Sequence, residues 1–411
     1  MKVIVEYGTE IDLRESVVSQ VTKIPLKGTD KVFGAAVFDD NGRLLPLISE
    51  YLSWATKTQD LSTNSALTYG RNLAYFLGYL QSRRGFSENE SDEAFLTVQK
   101  HVIQEYFSHL EKEQELSSKT IRNRDACLRA FVSDYLCQPQ GDKLALREDD
   151  PWLGKFLSKS PKNSKIESCS FEELEALIRS SYSERERTLI QFLFDSGLRR
   201  SELPRVTLAD INAAIKFNSE EFVASEHANP VTPQYSPLFV KGSKGRANQI
   251  KPRWTLVSKP TLMRIRKYHS SPLYKRHSRK YTDPDSTPAF FNAQGLPFSA
   301  KSISKLVERL SKRAITNGAL SKSISPHKLR HGNAYAILQS EDLGVDFLDR
   351  LVIVQKNFGH NQLSTTEMYT SIPQDLYNKM CDEHGQIMTR AQKMSYLLAN
   401  TQLKIRLTQD R

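Results

Sequence analysis

Residues 325–334 read SPHKLRHGNA, a segment that opens like a helix and places a histidine and an arginine three positions apart. Four other segments carry related side chains: GLRRSEL at 197–203, FVKGSKGR at 239–246, NFGHNQ at 357–362 and STTEMYT at 364–370. Each of them alone is explained as well by helix packing as by catalysis. Together they gather arginines, lysines, histidines and a tyrosine between residues 197 and 370, which indicates one shared site.

The cationic side chains in these segments suit the cleavage of a phosphodiester bond. That reaction requires neutralisation of charge on the nonbridging oxygens and a proton for the leaving oxygen. Arginine pairs two phosphate oxygens at once and keeps its charge, so Arg199 and Arg330 are candidates for the first task. Lysine and histidine donate protons near neutral pH, so Lys241, His327 and His360 are candidates for the second.

Tyr369 is the candidate nucleophile. A phenol oxygen that attacks phosphorus stores the energy of the broken bond as a phosphotyrosine, so rejoining needs no nucleotide cofactor. The chain has no GxxxxGK[ST] phosphate-binding loop, in agreement with this chemistry. Its four cysteines are far apart and lack metal-ligand spacing, so we expect no metal and no cofactor.

In this order and at these spacings, the five segments resemble the catalytic domain of the tyrosine recombinase family, the phage-type integrases. The resemblance covers roughly residues 169–375. It implies a mainly α fold with a small β-sheet, in which a helical core-binding domain and the catalytic domain form a C-shaped clamp on DNA. It also implies a catalytic set made of Arg199, Lys241, His327, Arg330, His360 and Tyr369, with His331 as a packing residue.

The sequence departs from the family pattern in three places. An apparent insertion before the hairpin separates Arg199 from Lys241 by more residues than is usual, so Lys244 remains an alternative for the catalytic lysine. Arg200 adjoins Arg199, although the Gly-Leu before it and the Ser-Glu after it favour Arg199. Phe358 stands where the family usually has leucine.

The charge of the chain indicates a polyanionic partner. The net charge is +11, and thirteen Lys and Arg with no Asp or Glu lie between Lys241 and Lys280. Phosphates would relieve the repulsion within such a stretch, although a solvated basic face would give the same composition. The candidate DNA-binding residues are Lys244 and Arg246 in this stretch and Lys119, Arg122 and Arg129 on a helix in the first half.

Hydrophobic periodicity and helix start signals organise the chain. Helices are predicted to begin at Ser62 and near Ser118, and capping boxes at Ser170–Glu173 and Ser183–Glu186 open two more. A hairpin is predicted around 236–257. The predicted regions are an N-terminal segment of unknown role (1–45), a helical core-binding DNA-binding domain (46–140), a linker (141–168), a catalytic domain (169–375) and a C-terminal tail (376–411) that either pads its own domain or contacts a neighbouring protomer.

These features predict a site-specific recombinase or integrase, such as one serving a mobile element, that works through a 3′-phosphotyrosine. The expected partner is double-stranded DNA, bound by a homo-tetramer on paired sites. A type IB topoisomerase-like enzyme and a DNA-binding protein with a decayed catalytic centre are the alternatives. No apolar run is long enough to span a bilayer and no signal peptide is evident, so we expect a cytoplasmic protein.

Overall fold

The protein folds into two compact units, which are described separately. The computed structural model describes residues 1–4, 7–12, 29–59, 61–83, 92–141, 143–161, 167–217, 234–244, 250–344, 346–359 and 388–403. The first unit spans Met1–Ser164, and the second comprises Lys165–Lys244 and Ile250–Arg411. Both are mainly helical and the sheets are small and antiparallel, which confirms the predicted fold class. No helix among these residues is long and apolar enough to cross a membrane.

The first unit consists of two antiparallel strand pairs and five helices, among the residues described. Strand β1 pairs with β4, and β2 pairs with β3. A π-helical turn, Val132–Leu136, continues the last helix. The elements are β1 (Lys2–Ile4), β2 (Tyr7–Asp12), β3 (Thr29–Phe33), β4 (Ala36–Phe38), α1 (Pro46–Thr58), α2 (Thr63–Gln81), α3 (Ala94–Thr97), α4 (Lys100–Lys112) and α5 (Ser118–Phe131).

Side-chain caps fix the two helix starts that were predicted in this unit. The hydroxyl of Ser62 accepts a hydrogen bond from the backbone N–H of Ser65 at 3.3 Å, and α2 begins directly after Ser62. The hydroxyl of Ser117 does the same for Thr120 at 3.2 Å at the start of α5. Such caps satisfy backbone N–H groups that have no partner within the helix. Both predicted starts are confirmed.

The region predicted as a linker belongs largely to the first unit. Trp152 is buried, and its indole N–H donates to Asp125 at 2.7 Å. The buried guanidinium of Arg147 donates to the carbonyls of Phe95 and Val98 at 2.9 and 2.7 Å. The linker prediction for 141–168 therefore began too early. Its polar composition resembles that of a loop, but a few large side chains anchor it to the helices.

The second unit consists of nine helices and one hairpin within the described part of the chain. Short 3-10 turns lie at Leu203–Arg205 and Glu341–Leu343. The elements are α6 (Phe171–Arg179), α7 (Glu184–Ser196), α8 (Leu208–Lys216), β5 (Tyr235–Lys244), β6 (Ile250–Ser258), α9 (Lys259–His269), α10 (Pro272–Ser278), α11 (Ala300–Thr316), α12 (Pro326–Leu338), α13 (Phe347–Phe358) and α14 (Arg390–Thr401).

One of the two predicted capping boxes forms in this unit. Ser170 and Glu173 each accept from the other's backbone N–H at the start of α6. Ser183 precedes α7 but makes no side-chain cap. Instead the hydroxyl of Ser181 donates to Glu186 at 2.9 Å and accepts from the Ser183 N–H at 3.2 Å. The helix start was predicted correctly and its capping residue was wrong, because a second serine competes for the same carboxylate.

The predicted hairpin is present as β5 and β6. The strands pair antiparallel, with Phe239 opposite Trp254 and Val240 opposite Arg253. Leu238, Val240 and Val257 are buried in the main core of the unit. The hairpin thus presents one face to the core, and this face includes Arg253.

The C-terminal helix α14 packs on its own unit. Met394 and Leu397 are fully buried, and so is the side chain of Arg390. Residues 390–401 thus pack on the unit to which they belong. A contact of the tail with a neighbouring protomer stays a prediction.

Candidate active site

Arg330 lies at the meeting point of two helix ends. Its side chain is buried, Nη1 donates to the carbonyl of Gly197 and Nη2 donates to the carbonyl of Phe358 at 2.9 Å. The guanidinium also lies over the Phe358 ring, 3.8 Å from its centroid. Helices α7 and α13 end at these points, each with a left-handed glycine, Gly197 and Gly359, both at φ 61°. A cation is favoured there because helix C-termini carry partial negative charge.

Small residues allow α12, which carries Arg330, to approach α7 closely. A Cβ at Gly332 would lie 2.3 Å from the carbonyl oxygen of Cys169 and 2.6 Å from the ring of Phe194. A Cβ at Gly197 would lie 2.6 Å from the side chain of Asn333. Asn333 in turn donates to the carbonyl of Asp195 at 2.8 Å. The Gly-Asn pair that follows the histidine-arginine segment therefore serves to position Arg330.

Arg199 shares one carboxylate with a second arginine. Its Nη1 donates to Glu202 at 3.0 Å, and its backbone N–H donates to the same carboxylate at 2.8 Å. Arg253 binds the other side of this buried carboxylate through Nη2, at 2.7 Å from Oε2. Burial alone would raise the pKa of Glu202, but Arg253 and Arg199 hold that pKa below its usual range. Glu202 is therefore a fixed anion between two cations.

Arg253 connects two of the sequence segments that were singled out. It lies on β6, binds Glu202 of segment 197–203, and donates through Nη1 to the carbonyl of Asn357 in segment 357–362. Gly359 is required beside it, since a Cβ there would lie 2.8 Å from Cδ of Arg253. Sequence reasoning did not identify Arg253 or Glu202 as site residues. The signals were a glutamate three positions after Arg199 and an arginine within the hairpin.

The two adjacent arginines of segment 197–203 have different surroundings. Arg199 is one-third exposed and held by Glu202. Arg200 is exposed, and its Nη1 donates to the hydroxyl of Ser304 at 2.6 Å. Only Arg199 belongs to the cluster with Arg253, which favours it as the site residue.

Lys241 lies on β5 and contacts the start of α8. Its ammonium donates to the hydroxyl of Thr207 at 3.2 Å and lies 3.5 Å from Oδ2 of Asp210. Thr207 and Asp210 form the capping box of that helix. In this structure the lysine is thus paired with a helix cap, and about a third of its side chain is exposed.

His327 is exposed on the first turn of α12. Its ring lies 4.2 Å from that of His331, edge to face, and His331 is buried. Ser325 caps this helix by accepting from the Lys328 N–H at 3.3 Å. A helix N-terminus favours anions, so His327 stands where a phosphate is electrostatically favoured.

Several predicted site residues lie outside the residues that the structure describes. They are His360, Tyr369 and Arg246, together with the side chain of Lys244. The described chain reaches Gly359, directly before His360. The structure therefore brings together Arg199, Arg330 and the carbonyls of segment 357–362, and it places His327 on the helix of Arg330.

The predicted DNA contacts of the first unit have distinct environments. Lys119 is exposed. Arg122 lies over the ring of Phe156, 3.6 Å from its centroid, and donates to the carbonyl of Ser158 at 2.8 Å. Arg129 lies 5.1 Å from the same ring. Arg122 and Arg129 therefore hold residues 156–158 against α5, which the helical pattern did not predict.

Part of the basic stretch is structural. Arg253 is buried against Glu202, and Arg264 is buried with Nε 2.8 Å from Glu184. Arg266 and Lys267 are exposed on the same helix as Arg264. The basic stretch from Lys241 to Lys280 therefore does not contribute positive surface at these two arginines, because acids from distant segments pair with them.

The chain is similar to phage integrases and recombinases over most of its length. Residues 168–374 match the sequence model described as the phage integrase family. Tyrosine recombinase XerD of Halalkalibacterium halodurans is 26% identical over 349 residues, which cover 84% of this chain and 98% of the relative. Tyrosine recombinase XerC of Psychromonas ingrahamii is 26% identical over 344 residues, which cover 83% of this chain and 96% of the relative.

Solved structures show the same fold. The XerH site-specific recombinase in a post-cleavage complex with its palindromic substrate has a TM-score of 0.54 at 19% identity and covers 81% of this chain and 83% of its own. The Tn1549 transposon integrase in complex with transposon right-end DNA has a TM-score of 0.53 at 17% identity, with coverages of 81% and 97%. A lambda integrase dimer bound to a core site gives 0.51 at 11% identity, with coverages of 83% and 98%.

Proposed function

Because the chain belongs to the phage integrase family, the tyrosine site-specific recombinases, we propose that its second unit cleaves and rejoins DNA through Tyr369. The chain is a site-specific DNA recombinase, and its reaction is strand transesterification through a 3′-phosphotyrosine. The observation that carries the residue assignments is the buried cluster of Arg199, Glu202, Arg253 and Arg330. It joins segments that are far apart in sequence and leaves Arg199 facing solvent.

In this proposal Arg199 and Arg330 bind the nonbridging oxygens of the scissile phosphate. Glu202 accepts a hydrogen bond from Nη1 of Arg199. Nη2 and Nε of Arg199 have no hydrogen-bond partner among the described residues. Arg330 is held by the backbone carbonyls of Gly197 and Phe358, which fix its guanidinium in place. His327 adds a donor at the N-terminus of the helix that carries Arg330.

The chemical step is a balanced exchange at phosphorus. The phenol oxygen of Tyr369 forms a bond to phosphorus while the bond from phosphorus to the 5′-oxygen breaks. The phenol gives its proton to solvent water, and His360 bonds to the phosphate or to the incoming Tyr369. Lys241 donates a proton to the 5′-oxygen, which leaves as a hydroxyl. The 5′-hydroxyl of a partner strand then attacks the phosphotyrosine and reverses each of these changes.

Lys241 has to leave its present partners before it can act as the acid. It is bonded to Thr207 and paired with Asp210 at a distance that is long for a direct ion pair. The lysine is partly exposed, and exposed pairs of this kind are weak. A bound phosphodiester therefore competes with Asp210 for the ammonium. Lys244 remains the alternative acid.

Double-stranded DNA is the partner, and four protomers on two paired sites are the proposed working assembly. The proposed contacts to the DNA backbone are Lys119, which is exposed in the first unit, and Lys244 and Arg246 of the hairpin sequence. Arg122 and Arg129 contribute less, because both are already engaged with Phe156.

The test is selection of the DNA that the protein attaches to covalently. The full chain is mixed with duplexes that contain a randomised segment and a nick, which lets the cleaved end diffuse away. Protein is then denatured, and only DNA that stays attached is recovered and sequenced. We expect one enriched site, recovered from the wild type and not from Tyr369→Phe. Recovery of no attached DNA from the wild type, or equal recovery from both, would contradict the proposal.

A further inference from the structure

One tryptophan of the chain lies largely in water, on the strand that pairs with the strand of the candidate catalytic lysine. Trp254 is 59% exposed on β6. The other two tryptophans differ: Trp152 is buried and hydrogen-bonded, and Trp54 is partly buried. A large aromatic ring left in water forgoes the free energy that burial would provide. An occupant that covers the ring would recover that free energy.

The outer face of the hairpin supports this ring. Trp254 lies directly opposite Phe239, and the two ring centroids are 5.1 Å apart. Lys241 follows Phe239 two positions later on β5, where the strand register shifts between Val240 and Ser243. Phe239 thus backs the indole on one side, and the lysine lies one step further along. Arg253, beside Trp254, points to the opposite face and is buried.

The charges along the hairpin sequence favour one kind of occupant. Residues 241–252 carry Lys241, Lys244, Arg246 and Lys251 and no acid. The acid paired with Lys241 comes from elsewhere, as Asp210. An apolar protein surface would not be attracted to such a face, whereas a nucleic acid offers phosphates for the cations and flat bases and sugars for the ring. Duplex DNA meets both conditions.

We propose that Trp254 packs against a nucleotide of the bound DNA next to the phosphate that Lys241 serves. The inference rests on the proposed function and names one further contact of the same site. Phe239 holds the indole so that little side-chain freedom is lost on binding. A ring inserted beside a base step prevents the duplex from sliding along its axis relative to the protein. One phosphodiester is thereby held at the catalytic groups.

Tryptophan fluorescence reads this contact without any catalysis. The Tyr369→Phe chain and the same chain with Trp254→Phe are titrated with a short mixed-sequence duplex at low salt. The difference between the two isolates Trp254, because Trp54 and Trp152 are unchanged. We expect quenching of the Trp254 signal and its protection from iodide. We also expect Trp254→Ala to weaken duplex binding about tenfold, and Trp254→Phe much less, because one stacked ring contributes about that factor.

Met263→Ala is the matched control, since Met263 is 63% exposed within the same basic stretch and carries no ring. It should leave affinity unchanged. Duplex binding with an unquenched Trp254 signal, or an equal loss from Met263→Ala, would overturn this inference alone. A wild-type chain that binds no duplex at low salt would overturn the proposed function as well, so the two failures are distinguishable.

Discussion

Two groups of arginines in the second unit differ in their exposure to solvent. Arg264 uses every nitrogen within the protein: Nε donates to Glu184, Nη1 to Gln191 and Thr401, and Nη2 to the carbonyl of Thr401. Its side chain has no exposed surface, whereas about a third of the Arg199 side chain is exposed. We refer to the surroundings of Arg264 as the tail anchor and to those of Arg199 as the arginine site.

Both groups pair arginines with carboxylates, but only in the arginine site do two arginines share one. In the tail anchor, Arg264 and Arg390 hold α14 in place, and Arg390 lies 3.3 Å from the buried Asp195. In the arginine site, Arg253 neutralises Glu202 from the inside, so that Glu202 orients Arg199 without cancelling the charge that faces solvent. A structural arginine has protein partners for all of its guanidinium donors, whereas a phosphate-binding arginine keeps some donors for the phosphate.

The largest effect that separates the two groups is expected from Arg199→Ala. Loss of a donor that acts on the developing phosphoryl charge should slow formation of the covalent adduct by about a thousandfold or more. The melting temperature should change little, because the side chain is partly exposed and Glu202 keeps Arg253 as a partner. Adduct formation on the selected site and thermal unfolding are measured on the same preparation. A large loss of stability with normal cleavage would move Arg199 into the structural group.

Lys241→Ala is expected to come next. Removal of a general acid should slow cleavage by about a hundredfold or more. A substrate whose leaving group is a 5′-thiol needs no proton, so the variant should cleave it at nearly the wild-type rate. Asp210→Asn is the companion variant, since it removes the competing charge and leaves the lysine. Equal slowing on both substrates would make Lys241 a binding residue and direct attention to Lys244.

Arg264→Met tests the tail anchor. The substitution keeps the apolar part of the side chain and removes all of its hydrogen bonds, so the free energy of unfolding should fall by roughly 3 kcal/mol. The value is at the low end for a buried pair, because Glu184 is partly exposed and can be rehydrated. Urea titration measures it, and Arg266→Ala on the same helix is the exposed control. Unchanged stability would contradict the structural role.

The smallest effect concerns the exposed cations of the basic stretch. Joint replacement of Arg266 and Lys267 by alanine should reduce the salt dependence of duplex binding, by about one in the log–log slope for each DNA phosphate that is no longer neutralised. Arg264→Met should not change that slope, because its charge faces no solvent. Affinity measured over a range of salt concentrations tests both statements. An equal change of the slope in Arg264→Met would contradict the distinction between the two groups.

Local signals predicted the helix starts well, and distant pairing could not be predicted. Ser62 and Ser170 cap helices through residues three positions away, a spacing that is visible in the sequence. The partners of the buried arginines are remote: Glu184 and Arg264 are 80 positions apart, and Glu202 and Arg253 are 51 apart. A basic stretch read along the chain therefore overstates the positive surface.

The site was predicted in its residue types more than in its geometry. The segments of Arg199, Arg330 and Phe358 meet as expected of a shared site, and their meeting depends on Gly332 and Gly359, whose close contacts only the fold reveals. Trp152 shows the same limit in the first unit. The buried indole of Trp152 makes the start of the predicted linker part of the core of the first unit, and this could not be predicted from composition.

The most direct measurement is to identify the residue that carries the DNA. Covalent adducts on the selected site are digested with nuclease and protease, and the modified peptide is sequenced by tandem mass spectrometry. We predict a nucleotide attached through its 3′-phosphate to Tyr369, and no such peptide from Arg199→Ala under the same conditions. A nucleotide on Tyr377 or on any other residue, or attachment through a 5′-phosphate, would contradict the proposed chemistry.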